Sequence, residues 1–163
     1  YYLRAEKDKY ETTEVKVLTD KEGDIFYEFL LKPREIAISK DTDLAKVFEI
    51  KEIYFDLNKS NIRPDAAVEL AKIVEVMKQY PKMKIDIRSH TDSRATDAYN
   101  LALSDRRAKS TLEWIVKQGI DRKRLKAKGY GETQLVNGCS NGVPCTEEQH
   151  QANRRSEFII ISM

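Results

Sequence analysis

The chain has 163 residues, 29 of them Lys or Arg and 27 Asp or Glu, which leaves a formal charge of +2 with the histidines neutral. So even a balance argues against nucleic-acid binding through bulk charge, which needs clustered excess cations. Hydrophobic residues at 40% exclude general disorder, and no apolar run approaches the roughly 20 residues that cross a bilayer as a helix.

The length suits one ordinary domain and an appendage. Residues 1–32 alternate in the strand manner through Tyr10, Val15, Val17 and the run 25–31, with Asp20-Lys21-Glu22-Gly23-Asp24 as a turn. They read as a β-strand remnant of an upstream domain. The first residue is Tyr1, with no basic-then-apolar leader before it, so the chain is expected to be a piece of something longer. Residues 33–47 are polar, lack a period and read as a linker.

The main domain is expected at 48–163. Residues 48–55 are a strand candidate that runs into Asp56-Leu57-Asn58. A helix over 64–79 opens at Pro64 and carries Ala67, Leu70, Ala71, Val74 and Met77 on one stripe; Pro81 stops it. Met83, Ile85 and Ile87 alternate with charged residues as a half-buried strand leading to His90-Thr91-Asp92. A second long helix over 98–118 carries Leu101, Ala108, Leu112, Trp114, Ile115 and Val116 and ends at Gly119. A helical turn at 121–124 precedes a strand at 125–130, and a last strand lies at 156–161. The order β-α-β-α-β-β predicts an α/β two-layer sandwich, with both long helices on one face of a mixed four-stranded sheet.

Cys139 and Cys145 sit in a loop of turn formers, Asn137-Gly138-Cys139-Ser140-Asn141-Gly142-Val143-Pro144-Cys145. Such a loop can bring two cysteines within disulfide reach, which implies an oxidising compartment. Free thiols are the alternative. A zinc site lacks ligands, because His150 supplies at most a third.

Polar residues collect at strand ends and helix starts, where open α/β sheets place their sites. Asp56-Leu57-Asn58 and Thr91-Asp92 are two such groups. Asn100, Ser104 and Arg107 form a third, sharing one helix face by their spacing. An Asp on a loop facing an Arg on a helix can hold both ends of a zwitterion, the carboxylate taking an ammonium and the guanidinium a carboxylate. With nothing further to go on, such a pair is more often a structural ion pair or cap. Asp56 and Asp92 could instead serve as paired carboxylates for hydrolysis. His150, in a polar loop, reads as solvated, and His90 as a residue that orients the Thr91-Asp92 turn. No nucleophile lies beside either histidine, no phosphate loop is present, and no cofactor is expected.

His90-Thr91-Asp92, Tyr99-Asn100, Leu103-Ser104, Arg107-Ala108, Gly129-Tyr130-Gly131-Glu132 and Asn153-Arg154-Arg155, in this order, resemble the OmpA-like carboxy-terminal domain. Ile53-Tyr54-Phe55-Asp56-Leu57-Asn58 is similar to that family's first strand and loop, so the resemblance covers about 48–163. It implies a peptidoglycan-binding module of the periplasm and outer membrane of a Gram-negative bacterium, and not an enzyme. It further implies a non-covalent clamp on the meso-diaminopimelate of the stem peptide. Asp92 and Arg107 would hold that residue, with Asn100 and Arg154 as further contacts and Thr91, Leu103, Asp56, Leu57 and Asn58 completing the pocket. Envelope or secretion-complex proteins, and self-association, are the other partners it suggests. Two positions depart from the family pattern, Ser89 and Ala95, where Gly is usual. The cysteine pair resembles a subset of the family with an insertion there. The opening Tyr1-Tyr2-Leu3-Arg4-Ala5-Glu6-Lys7-Asp8-Lys9-Tyr10 looks like the end of a carboxypeptidase-regulatory-like β-sandwich. That would make the parent a multidomain envelope protein, such as one tethering a type IX secretion apparatus to the wall.

Overall fold

The computed structural model of the chain describes residues 2–7, 11–17, 27–32, 38–55 and 59–163. It divides into two compact units, 1–37 and 38–163. In the first, β1 (Tyr2–Ala5) pairs antiparallel with β2 (Thr13–Lys16), Leu3 lying opposite Val15. Tyr27 and Leu30 are exposed and lie outside any strand. Tyr10, the turn at 20–24, and Ile25 and Phe26 lie outside the described residues.

The second unit takes in residues 38–47, which read as linker from their polarity. Asp43 caps the short helix α1 (Leu44–Val47), its carboxylate accepting from the Ala45 amide at 3.0 Å and from the Phe158 amide at 2.9 Å. Leu44 is fully buried. The buried leucine, the aspartate serving two backbone amides, and backbone bonds from the Asp41 amide to the Ile160 carbonyl and from the Ile160 amide to the Thr42 carbonyl, each 2.9 Å, hold this polar stretch on the domain.

The expected strand at 48–55 is replaced by a turn at 48–49 and a segment without regular structure. Glu49 takes a positive φ of 49°, the Ile50 amide donates back to Ala45 at 2.8 Å, and the Lys51 amide donates to the Glu69 carboxylate at 2.9 Å. With those amides turned to local and side-chain acceptors, no ladder forms here. Among the described residues the sheet of this unit therefore has three strands, not four.

Those strands are β3 (Lys84–His90), β4 (Leu125–Gly131) and β5 (Ser156–Ser162), in the order β4-β3-β5. β3 runs parallel to β4 and antiparallel to β5, a mixed sheet. Register places Leu125, Ile85 and Ile160 side by side, and Ile87 beside Phe158. α2 (Pro64–Gln79) and α3 (Asp97–Lys117) close over that apolar face. Thr96 caps α3 by accepting from the Tyr99 amide at 3.3 Å, and Gly119, at φ 95°, ends it.

The inward stripe of α2 is Ala66, Leu70, Ile73, Val74, Val76 and Met77, rotated slightly from the expected one; Ala71 is exposed and Ala67 half-buried. Alanine marks neither face strongly, so the larger Ile73 and Val76 decide the rotation. Trp114 is half-buried against the core. The α3 stripe also differs: Leu101 is half-exposed, while Asn100, Ser104 and Arg107 lie on the buried side. A third helix of useful length, α4 (Glu147–Asn153), follows the cysteine loop. Thr146 and Gln149 cap it reciprocally. Cys139 and Cys145 form a disulfide with Cα atoms 5.9 Å apart.

Candidate functional site

At the end of β3 the chain leaves the sheet through Thr91, Asp92 and Ser93, all buried. Three neighbours fix this loop. The Thr91 amide donates to the Gly131 carbonyl of β4 at 2.9 Å. Ser93 Oγ donates to the Cys139 carbonyl at 2.6 Å, which ties the loop to the disulfide segment. From α3, Asn100 Nδ2 donates to the carbonyls of Asp92 at 3.0 Å and Ala95 at 3.4 Å, and to the Glu132 carboxylate. Asn100 thus shapes the loop. Ser89 and Ala95 both keep negative φ, so side chains in place of the usual glycines bring no backbone strain there.

The Asp92 carboxylate accepts from the Arg94 amide at 3.1 Å, from Arg94 Nε at 3.1 Å and Nη2 at 2.8 Å, and from Arg154 Nη1 at 2.7 Å. Both arginines also reach Glu147 on the first turn of α4, at 2.7 and 2.6 Å. Burial pushes the Asp92 carboxyl up, but the hydrogen bonds from Arg94 and Arg154 outweigh it and hold the group below the ordinary carboxylate range. Asp92 is therefore a fixed anion at neutral pH.

Arg107 is only 9% exposed. Its Nε donates to the Lys59 carbonyl at 3.2 Å, and its guanidinium lies 4.9 Å from the centre of the Phe55 ring. Burial lowers its pKa, yet a guanidinium stays cationic. Arg107 and Asp92 line one cavity of about 500 Å³, together with Thr91, Asn100, Leu103 and Arg154. Tyr54 and Phe55 add aromatic surface to its wall. The arrangement puts an anion and a desolvated cation in one partly apolar pocket, as binding of a zwitterionic group requires.

Six of the nine expected site residues are thus brought together. Asp56, Leu57 and Asn58 lie outside the described residues, as does any pairing of Asp56 with Asp92. Ser104 faces elsewhere: fully buried, its Oγ accepts from the Gly131 amide at 2.8 Å and joins α3 to β4. Sequence reasoning misses Arg94 and Glu147. The Thr146-Glu147-Glu148-Gln149 capping signature, which marks a helix start there, is the signal that points to Glu147.

His150, which reads as solvated, is 7% exposed on α4. A helix in place of a loop turns it inward. His90 is buried under the cavity, stacked on Tyr130 at 5.4 Å, with Nε2 3.6 Å from Glu157 Oε1. The His90 ring and the Arg155 guanidinium hold the Glu157 carboxyl down at about 2, from 4.5. A depressed carboxylate stabilises the fold above its unfolded pKa and loses that contribution as pH falls through the folded one. Glu157→Gln is accordingly expected to lower stability at pH 7, with its deficit to wild type shrinking between pH 4.5 and about 2; urea unfolding across that range measures it.

The OmpA family matches residues 54–149, more than half of the chain. The chain belongs to the OmpA family. This OmpA-family chain is 36% identical over 115 residues to outer membrane porin F of Pseudomonas fluorescens, covering 70% of the chain and 34% of the porin. It is 39% identical over 87 residues to the peptidoglycan-associated lipoprotein of Brucella melitensis biotype 1, covering 53% of the chain and 52% of the lipoprotein. The chain thus spans between a third and about half of the length of these relatives. Among solved structures, the peptidoglycan-associated lipoprotein from Burkholderia pseudomallei shares the fold with a TM-score of 0.59 at 25% identity, over 68% of this chain and 90% of that one. Among the described residues of this OmpA-family chain, no helix is long and apolar enough to cross a membrane.

Proposed function

We propose that the domain binds peptidoglycan non-covalently by clamping the meso-diaminopimelate of a stem peptide, and so tethers an outer-membrane or periplasmic protein to the cell wall. The observation that carries this reading is the joint lining of one cavity by Asp92 and the buried Arg107. Asp92 takes the side-chain ammonium of diaminopimelate, and Arg107 takes the carboxylate on the same carbon. Lysine lacks that carboxylate, so its binding would leave Arg107 desolvated without the ligand's charge. A ligand carboxylate meeting this buried guanidinium in one complex and absent from the other separates the two ligands by a few kcal/mol. The names of the relatives, a peptidoglycan-associated lipoprotein and an outer membrane porin, support peptidoglycan association and the outer-membrane setting.

Binding rather than bond cleavage suits the electrostatics. A carboxylate held below its ordinary range by two guanidiniums is a poor general base, which works best with a pKa near the ambient pH. The test is co-sedimentation of the protein with purified sacculi of the diaminopimelate type and of the lysine type. Retention on the first alone is expected. Equal retention on both, or none on either, overturns the reading.

A further inference from the structure

A carboxylate offers about four acceptor positions. Four N–H groups already point at Asp92, three of them from Arg94 and one from Arg154. Three of the four converge on Oδ2 and only the Arg94 amide meets Oδ1, so an ammonium that is to use both oxygens needs one of these guanidiniums to leave Oδ2. The two differ in how firmly they are held. The Arg94 side chain is 49% exposed against 23% for Arg154, and while both rest on Glu147, Arg154 is held by Gln151 as well. Glu147 is itself mostly exposed and sits in the first turn of α4, so it can keep the Arg94 guanidinium after Asp92 is given up.

We propose that Arg94 is a displaceable latch on Asp92 and a specificity-determining residue of the site, swinging off toward Glu147 when a ligand ammonium arrives. This rests on the reading of the pocket as a diaminopimelate clamp and adds a selection step to it. An ammonium alone must compete with a guanidinium that already gives Oδ2 two N–H bonds, and it gains nothing in return. A carbon bearing both an ammonium and a carboxylate compensates, because its carboxylate meets the cations that stay on the cavity wall, Arg107 and Arg154. The latch thus turns away plain amines and admits an amino-acid head group.

Arg94→Gln and Arg94→Lys separate this from an ordinary ligand contact. The probes are the tripeptide L-Ala-γ-D-Glu-meso-diaminopimelate and its L-Lys counterpart, titrated into the full chain by calorimetry, with circular dichroism confirming the fold. Arg94→Gln is expected to strengthen binding of the lysine tripeptide at least about fivefold and to shrink the preference for diaminopimelate by a similar factor or more. Arg94→Lys keeps a cation on Asp92 and is expected to restore most of that preference. If Arg94→Gln weakens both tripeptides alike, or leaves the lysine peptide unchanged, Arg94 is no latch and the proposal falls. Failure of the wild-type protein to bind the diaminopimelate tripeptide would instead overturn the clamp reading itself.

Discussion

Replacing Arg107 by Met is expected to weaken binding of diaminopimelate-type peptide by about a hundredfold or more. Removing one partner of a buried charge pair costs about 2–5 kcal/mol, and each 1.4 kcal/mol is a factor of ten. Met is chosen because it keeps an unbranched apolar stem against Phe55, so that loss of packing is separated from loss of charge. The variant gives up the Nε bond to the Lys59 carbonyl, so its thermal unfolding should be measured alongside. Arg107→Lys distinguishes charge from shape. It retains a cation but not the planar fork that meets a carboxylate with two parallel bonds, and should recover only part of the affinity. Sacculus retention of Arg107→Met equal to wild type would remove Arg107 from the site.

The second large effect concerns the frame that carries the site. A Cβ on Gly129 would collide with the backbone between Ser104 and Asp105 of α3 and with Ser104 Oγ. Two of the three nearest atoms are backbone in the middle of a long helix, so moving a side chain does not relieve the clash. Gly129→Ala must push α3 away from β4, stretching the 2.8 Å bond from the Gly131 amide to Ser104 Oγ. Overpacking of this kind costs about 1–3 kcal/mol and sometimes more, and a backbone clash belongs at the upper end. For a unit of this size that lowers Tm by on the order of 10 °C. Because Asn100 and Arg107 ride on the same helix, ligand affinity should fall with it, and differential scanning calorimetry beside sacculus binding measures both. An unchanged Tm would show that α3 and β4 are not packed this closely. Gly129 thus has a mechanical reason for its place in the Gly129-Tyr130-Gly131 segment.

The long helices, the three strands and their ends follow from local chemistry. Pro64 and Thr96 start helices, Pro81 and Gly119 stop them, and alternation of Ile85 and Ile87 with charged residues builds a strand whichever fold receives it. Spacing alone is also enough to put Asn100, Ser104 and Arg107 on one helix face. What that face does is beyond local reasoning. Ser104 spends its hydroxyl on β4, Asn100 holds the Asp92 loop, and only Arg107 presents charge to the cavity. These roles depend on which element lies opposite.

The same holds for the ion cluster. Arg154 meets Asp92 across 62 positions of sequence, and Glu147 joins them only because the segment after the disulfide coils into α4. The lost strand at 48–55 shows the converse. Its apolar alternation suited a strand, but the Asp43 cap and buried Leu44 fold the preceding residues into a helical turn, and the amides that follow find nearer acceptors. Sequence by itself determined which residues could carry charge into a pocket and where the two long helices and the three strands of the sheet lie, since both depend on neighbours a few positions away. Only the tertiary structure decided which charges are already engaged and which cation is desolvated. Burial and long-range pairing are properties of the packed chain and have no local signature.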